Sequence, residues 1–289
     1  DDGARLFFRQ YPVDNPQAGV LIVHGLGEHS GRYLRLSGHL AARRIGVCSF
    51  DLRGHGQSSG SRGHVLSFKE YCRDLEKMIG NCRKAMPDGA KLFLLGHSMG
   101  GLIVLYFVQG PHPGVDGVIA SSPALAPAAG APPVKAAIGK FLSKIWPGFS
   151  MDNELTASHL SHDPAVVGAY RDDPLVHQRV SARWFTEIMR TMTEVQANAP
   201  SVNIPVLLQV AGDDRLVNPR AAHRFFERLT AGDKTLYHYE DLYHEIYNER
   251  PSSRDNVIRD LTRWLEARIK PREESNTPFE TARPPSERE

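Results

Sequence analysis

Residues 91–108 read Lys-Leu-Phe-Leu-Leu-Gly-His-Ser-Met-Gly-Gly-Leu-Ile-Val-Leu-Tyr-Phe-Val: an apolar run, a Gly-x-Ser-x-Gly turn and a second apolar run. The first run has the length of a buried strand and the second that of a largely buried helix. Together they predict a nucleophile elbow, a sharp turn that lifts the Ser98 hydroxyl clear of the backbone, where a base can reach it. A side chain at Gly96 or Gly100 would crowd that turn. The sequence therefore predicts an activated serine where a strand ends.

The size and composition are those of an ordinary globular protein. With 289 residues, 41% of them hydrophobic and 24% charged, the chain is long enough for one large α/β domain with an insertion. Its 35 basic and 33 acidic residues give a formal charge of +2, so nothing indicates a nucleic-acid partner. The three cysteines, Cys48, Cys72 and Cys82, lack Cys-x-x-Cys spacing and favour a reducing compartment. We therefore expect a cytoplasmic protein.

Membrane and targeting patterns are not visible in the sequence. No apolar stretch reaches the ~20 residues that a membrane-spanning helix needs. A signal-peptide pattern is not visible either, although a chain that begins Asp1-Asp2 without Met can have lost one. We therefore expect any membrane contact to be peripheral.

Strand-like apolar runs alternate with helical patterns along most of the chain. The predicted strands cover residues 5–11, 20–23, 45–50, 91–95, 115–120, 202–210 and 235–239, and the predicted helices cover 68–86, 102–108 and 257–269. Such alternation predicts an α/β fold, in which helices cover both faces of a mostly parallel sheet.

Two stretches break the alternation. Between Pro123 and about Pro200 there is no strand signal, only helical patterns separated by Pro and Gly. We interpret this stretch as a helical insertion over the carboxyl ends of the strands, where such sheets bind ligands. From Lys270 to Glu289 the chain is charged and rich in Pro, so we expect a disordered tail.

Candidates for a general base and its acidic partner follow the last two predicted strands. A serine nucleophile needs a His to take its proton and an acid to orient that His. Residues 211–217 read Ala-Gly-Asp-Asp-Arg-Leu-Val, so Asp213 and Asp214 both compete for the acidic role. His244 follows the final strand. Since the carboxyl ends of parallel strands meet at one edge, we expect His244 and one of the two Asp residues beside Ser98.

The same chemistry needs two N–H donors for the negative oxygen that forms during attack. One should be the N–H of Met99, which follows the nucleophile. The second should come from the loop His24-Gly-Leu-Gly27 after the first buried strand, with Leu26 as the donor. The two glycines in this loop fit a close approach of backbone to substrate.

With these residues assembled, the chain resembles the monoacylglycerol lipase and lysophospholipase branch of the α/β-hydrolases. The matching segments lie in the family's order: His24-Gly-Leu-Gly-Glu-His-Ser-Gly-Arg-Tyr33, Asp51-Leu-Arg-Gly-His-Gly-Gln-Ser58, Leu95-Gly-His-Ser-Met-Gly-Gly101, Ser121-Ser-Pro123, Gly212-Asp-Asp-Arg-Leu-Val217 and Tyr243-His-Glu245. The resemblance implies Ser98, Asp214 and His244 as the catalytic triad, with Leu26 and Met99 as the oxyanion donors. No metal or organic cofactor is implied.

The resemblance also implies domain boundaries. It places a helical lid over residues 124–195, which divides the α/β-hydrolase core into 1–123 and 196–269, ahead of the tail 270–289.

Two charged residues of the first motif, Glu28 and Arg32, correspond to residues that help orient a glycerol head group in the family. An alternative is structural, since a polar loop buried beside the elbow needs hydrogen bonds of its own. The glycerol lipases that the chain resembles carry a His three positions after the catalytic His, where this chain has Tyr247. That difference weakens the case for strict monoacylglycerol specificity.

An amphipathic helix is predicted within the lid, over residues 133–146. Its apolar face carries Val134, Ala137, Ile138, Phe141, Leu142, Ile145 and Trp146, with Lys140 and Lys144 opposite and Lys135 at the border. We favour a helix that buries this face on the domain below. The alternative is a lid that makes transient contact with a membrane or micelle, with its lysines at anionic head groups.

These features predict a carboxylic ester hydrolase that acts on a small lipid with one acyl chain, a monoacylglycerol or a lysophospholipid. A broad carboxylesterase for short soluble esters, an aminopeptidase or amide hydrolase, and a non-catalytic binding module on the same scaffold are the alternatives. An epoxide hydrolase or dehalogenase is disfavoured, because these enzymes use Asp where Ser98 stands. The oligomeric state and the preferred acyl length are not encoded in any pattern of the sequence.

Overall fold

The computed structural model describes residues 2–128, 139 and 141–269, and its centre is a seven-stranded sheet. The strands in chain order are β1 (Phe8–Tyr11), β2 (Ala18–Val23), β3 (Ile45–Phe50), β4 (Lys91–His97), β5 (Gly117–Ser121), β6 (Ser150–Asp152), β7 (Arg179–Ser181), β8 (Val206–Ala211) and β9 (Lys234–Tyr239). The large sheet has the order β1-β3-β2-β4-β5-β8-β9, and only the edge strand β1 runs antiparallel to its neighbour. The prediction of a mostly parallel sheet is confirmed.

Helices cover both faces of this sheet. They are α1 (Leu34–Ala41), α2 (Lys69–Lys84), α3 (Met99–Phe107), α4 (Pro164–Asp172), α5 (Ala182–Ala197), α6 (Pro219–Arg228) and α7 (Pro251–Ile269). Side chains of β2 alternate between two apolar clusters: Leu21 and Val23 pack with α2 and α3, while Val20 and Ile22 pack with α1 and α7. Burial on both faces explains why these strands appear in the sequence as continuous apolar runs.

Most strand and helix predictions are confirmed, with shifted ends. The strand expected over 202–210 begins only at Val206, because Pro205 has no N–H to give to the sheet and Ala199–Ser201 form a short 3₁₀ turn. The elbow helix begins at Met99, directly after Ser98, rather than at Leu102. These shifts leave the order of the elements unchanged.

The insertion is not purely helical. Strands β6 and β7 pair antiparallel within it, so the expectation of helices alone is wrong there. Each strand has three residues, too few for an alternating pattern to stand out in the sequence. The Ser181 N–H donates to the Gly63 carbonyl at 2.9 Å, which ties β7 to the core.

The predicted lid helix lies only partly within the described residues. Residues 141–145 are helical, and the side chains of Phe141, Ile145 and Trp146 are 63%, 63% and 62% exposed. The interpretation that this face is buried on the domain below is therefore wrong for these three residues. Leu142 is half-buried and Lys144 is exposed. The other residues of that prediction, Val134, Lys135, Ala137, Ile138 and Lys140, lie outside the described part of the chain, as does the tail 270–289.

Over the ranges that the structure covers, we find no helix with the length and apolar character needed to cross a membrane.

The parallel strands bring their carboxyl ends to one edge of the sheet. The loop with Leu26 follows β2, Ser98 follows β4, and Asp214 and His244 follow β8 and β9. Residues separated by more than 200 positions therefore meet at this edge, above which the insertion lies. The order and direction of the strands therefore bring these four loops, with their candidate site residues, to the same edge of the sheet.

Close backbone contact at the elbow gives the first testable prediction. A methyl group on Gly100 would overlap the carbonyl oxygens of Val23 and His24, neither of which can rotate away. We expect Gly100→Ala to destabilise the fold by about 1–3 kcal/mol, as overpacked cores do. The matched control is Gly80→Ala on the exposed face of α2, where nothing lies within 4 Å and alanine should stabilise the helix by about 0.5–1 kcal/mol. Thermal unfolding of both variants checks the difference, and equal stability would contradict it.

Candidate active site

The backbone of Ser98 is held in a strained conformation at the start of α3. Its φ of +53° and ψ of −116° lie in a region that residues with a side chain rarely adopt. The Ser98 N–H donates to the Ser121 carbonyl at 2.9 Å, and the Ser98 carbonyl accepts from the N–H groups of Leu102 and Ala124. Both the N–H and the carbonyl group of Ser98 are therefore hydrogen-bonded within the fold. The residue is partly exposed, whereas Met99 beside it is buried.

The loop after β2 lies directly against the elbow. A methyl group on Gly25 would come within 3.3 Å of the Ser98 Cβ. Leu26 follows in a turn, and Gly27 adopts a left-handed φ of +75° that brings it against the carbonyl oxygen of His177 in the insertion. This arrangement places Leu26 and Met99 on the two backbone segments that flank Ser98. Their role as oxyanion donors stays a prediction.

Asp214, rather than Asp213, is the acid that bonds His244. The Nδ1 of His244 lies 2.7 Å from Asp214 Oδ2, and both side chains are buried. The other oxygen of Asp214 accepts the N–H groups of Leu216 and Val217 at 2.9 and 3.0 Å. Asp213 is exposed and forms an ion pair with Arg215. An ionised carboxylate can only accept, so the His244 proton sits on Nδ1 and leaves Nε2 as the basic nitrogen.

The electrostatics of this pair favour charge on both partners. Burial works against the charged imidazole, but the Asp214 carboxylate outweighs it and raises the pKa of His244 above its ordinary value. Burial would likewise raise the pKa of Asp214, yet the His244 ring and the two backbone N–H groups hold it below its ordinary value. The carboxylate is therefore ready to stabilise an imidazolium.

The His244 ring lies beside the elbow. Its centroid is 4.7 Å from that of His97, the residue directly before Ser98. Burial, together with the neighbouring His244, lowers the pKa of His97 to about 4. His97 is consequently neutral near pH 7 and leaves His244 as the titrating imidazole at this end of β4.

A buried network of one cation and two carboxylates lies beside the site; the sequence analysis named Glu28 and Arg32 but not their partner Glu245. Arg32 donates to both oxygens of Glu245, with Nη2 to Oε2 at 2.8 Å, and also to Glu28 Oε2 at 3.0 Å. Glu28 Oε1 in turn accepts the Gly25 N–H at 2.6 Å and the Tyr33 hydroxyl at 2.7 Å. The network thus joins the residue after His244 to the residue before Leu26.

The charges of this buried network are stabilised by direct contact between the charged groups. Burial would raise the pKa of the Glu28 carboxyl, but the Arg32 guanidinium and two nearby imidazoles, His97 and His24, hold it at about 2. The contacts of Glu245 and Glu28 raise the pKa of Arg32 despite its burial. Glu28 and Arg32 are engaged with each other and with the fold, which favours the structural alternative for them. Their contact with a head group stays a prediction.

Tyr247 lies in the core and its hydroxyl donates to Gln209 Oε1. The Tyr247 hydroxyl is therefore already engaged within the core.

Comparisons with known proteins identify a family of hydrolases. A profile described as serine aminopeptidase, S33 matches residues 14–251. The monoglyceride lipase of Rattus norvegicus is 33% identical over 93% of this chain and 89% of its own length. Phospholipase YtpA of Bacillus subtilis is 33% identical over 83% of this chain and 92% of its own length. An abhydrolase domain-containing protein of Dictyostelium discoideum is 34% identical over 89% of this chain, which spans only 27% of that protein.

A crystal structure with the same fold is known. The crystal structure of the Paleococcus ferrophilus monoacylglycerol lipase superposes with a TM-score of 0.84 at 36% identity, and the match covers 91% of this chain and 99% of that one. With a family match over most of its length, the chain belongs to the serine aminopeptidase S33 family and is a serine ester hydrolase with the α/β-hydrolase fold.

Proposed function

We propose that the protein hydrolyses the ester of a lipid with a single acyl chain through an acyl-enzyme on Ser98. In the first half, the Ser98 hydroxyl attacks the acyl carbonyl while His244 Nε2 takes its proton. Asp214 orients the ring and stabilises the imidazolium, and the N–H groups of Leu26 and Met99 donate to the oxyanion. The alcohol then leaves with the proton from His244.

Water completes the reaction. His244 takes a proton from a water molecule, which attacks the acyl carbonyl of the Ser98 ester. The tetrahedral intermediate uses the same two N–H donors, and its collapse frees the fatty acid and returns the proton to Ser98. Every proton is carried by a residue of this chain.

One observation carries this proposal: the 2.7 Å bond between His244 and Asp214, with the imidazole packed against the residue before Ser98. The relatives named above make a monoacylglycerol the first candidate substrate and a lysophospholipid the second, since a phospholipase stands among them. Both substrates have one acyl chain and a polar head group, and both would be hydrolysed by Ser98, His244 and Asp214.

A specific contact argues against the aminopeptidase alternative. An aminopeptidase needs an unpaired carboxylate near its nucleophile to bind the ammonium group of its substrate. The two buried carboxylates beside this site, Glu28 and Glu245, share the Arg32 guanidinium. A substrate ammonium would have to compete with that guanidinium, so ester substrates fit the site better.

Removal of the nucleophile is the direct test. We expect Ser98→Ala to lower kcat by about 10⁶, because the triad acts as a unit, and to abolish labelling by a fluorophosphonate. The control is Ser122→Ala, which removes a buried hydroxyl that lacks a hydrogen-bond partner among the described residues and should keep activity and labelling. If Ser98→Ala kept most of the ester hydrolysis, the mechanism would be refuted. If the folded parent protein did not react with the fluorophosphonate, a non-catalytic binding module would be favoured.

The raised pKa of His244 sets the expected pH dependence. The base must be neutral, so kcat/KM should fall as the pH drops through the His244 pKa, with a midpoint above the ordinary imidazole value of about 6.5. His97, with a pKa of about 4, cannot cause a fall in kcat/KM in that pH range. The profile is measured on a soluble ester, with the surface variant His223→Asn as a control that should not move it. An acid limb centred below pH 5 would contradict the assignment.

A substrate panel tests the lipid assignment. Each added methylene that the acyl pocket buries contributes about 0.8 kcal/mol, so kcat/KM should rise by about fourfold per methylene from short soluble esters toward monoacylglycerols. The parent protein should cleave an aminoacyl p-nitroanilide no faster than the Ser98→Ala variant does. A flat response to acyl length would favour a broad carboxylesterase, and faster anilide cleavage would favour the aminopeptidase alternative.

A further inference from the structure

Glu245, the residue directly after His244, is held by buried contacts on its side chain and its backbone. Its Oε2 accepts Arg32 Nη2 at 2.8 Å and Asn248 Nδ2 at 3.0 Å, while its Oε1 accepts Arg32 Nη1. Its N–H donates to the Leu160 carbonyl at 2.8 Å. Two parallel bonds to one guanidinium give a defined orientation that a single contact does not. The residue next to the base is therefore bonded to the fold through every polar group of its side chain.

The buried charges around Glu245 do not cancel. Arg32 is shared with Glu28, and the side chains of Arg32, Glu28 and Glu245 are 9%, 4% and 4% exposed. One guanidinium thus faces two carboxylates, which leaves one negative charge in excess. Buried ion pairs can often be replaced by apolar side chains without loss of stability, so the stability of the fold alone does not account for this excess. A positive charge that forms nearby during the reaction would account for it.

His244 is the group beside this network that becomes positive when it takes the Ser98 proton. Burial raises the pKa of Tyr33 and of Tyr170, so both hydroxyls stay neutral near pH 7. Burial also lowers the pKa of His97 to about 4, so its ring is neutral too. The charged groups around His244 are therefore Asp214, Glu245, Glu28 and Arg32.

The carboxylates of the network act on the His244 ring from a different side of the site than Asp214 does. Burial alone would lower the pKa of His244, but Asp214, Glu245 and Glu28 together raise it above its ordinary value. Asp214 does so through a direct bond to Nδ1, whereas both glutamates do so while bonded to Arg32. Since the three charges are buried, little water screens them.

We propose that Glu245 is a positioning residue for His244: held by Arg32, it keeps the His244 loop in place, and its negative charge stabilises the imidazolium. This role rests on the proposed ester hydrolysis, in which His244 is the base. It adds to Ser98, Asp214 and His244 a residue that acts through the base.

Removal of the charge at nearly constant shape tests the electrostatic part. Glu245→Gln takes away a charge that favours the imidazolium, so the fall in kcat/KM at acid pH should move to lower pH by about one unit, a usual size for such shifts in folded proteins. The matched control is Glu187→Gln on α5, where a similarly buried carboxylate accepts the Phe68 N–H at 2.9 Å and pairs with Arg190. Its midpoint should equal that of the parent. A contribution of Glu245 to folding alone would leave both midpoints unchanged.

The two kinetic constants test the positioning part. Because the base acts on every ester, Glu245→Gln should lower kcat by about 10- to 100-fold on both a monoacylglycerol and p-nitrophenyl butyrate, as misplacement of a catalytic group by ~1 Å does. KM should change little for either substrate. p-Nitrophenyl butyrate has no glycerol head group, so a head-group contact would instead raise KM for the monoacylglycerol alone. That result would overturn the proposal.

A conservative variant tests whether the charge is what matters. Glu245→Asp keeps the carboxylate, so its midpoint should return to that of the parent, while kcat stays reduced because the shorter side chain loses the paired geometry with Arg32. If Glu245→Gln does not fold, Glu28→Gln takes its place, removes the other carboxylate of Arg32 and should move the midpoint in the same direction. A midpoint equal to that of Glu187→Gln in the variant used would overturn the proposal.

Labelling with a fluorophosphonate separates this proposal from the proposed function. A parent protein that labels and hydrolyses esters, with a midpoint that no glutamate variant moves, would contradict the role of Glu245 alone. A folded parent that neither labels nor hydrolyses esters would contradict the proposed function and this role with it.

Discussion

A single guanidinium, that of Arg32, holds the two ends of the active site together. Through Glu28 it is linked to the Gly25 N–H, one residue before Leu26, and through Glu245 to the residue that follows His244. Loss of one partner from a buried ion pair costs about 3–5 kcal/mol, because the remaining charge is stranded away from water. The loop that carries Leu26 and the loop that carries His244 are thus joined by buried contacts. The contacts of Arg32 that join them do not include Ser98.

The same network shapes the electrostatics around His244. Two carboxylates against one guanidinium leave an excess of negative charge, to which Asp214 adds a third carboxylate. An imidazolium that forms beside Ser98 is therefore stabilised by its surroundings in addition to its own bond with Asp214, and Glu245 and Glu28 both contribute to the raised pKa of His244. Burial keeps these interactions strong, since little water is present to screen them. These surroundings thus favour positive charge on the His244 imidazole.

Local patterns in the sequence predict the sheet and the elbow but not the contacts between distant loops. The elbow could be predicted because Gly96, Ser98 and Gly100 lie within five residues and the contacts that need glycine there are local or involve the adjacent strand β2. By contrast, the pairing of Arg32 with Glu245 joins residues 213 positions apart, and nothing in either neighbourhood marks the partner. Residue reasoning alone left Asp213 and Asp214 open, since the choice depends on which carboxylate faces a ring from another strand. The two short strands of the insertion could not be predicted, because three residues are too few to show an alternation of apolar and polar side chains.

The insertion is hydrogen-bonded to the core close to His244, which limits how it can move. The Glu245 N–H donates to the Leu160 carbonyl at 2.8 Å. Glu249, almost fully buried, accepts from His162 Nδ1 at 2.8 Å and from the Tyr243 N–H at 3.0 Å. A rigid opening of residues 157–162 would break these buried bonds and pull on the loop that carries His244, so this part of the insertion acts as a fixed wall of the site. The exposed segment around Trp146 has no comparable bonds to the His244 loop among the described residues. The insertion is therefore divided between a part that is bonded to the His244 loop and an exposed segment around Trp146 that is not.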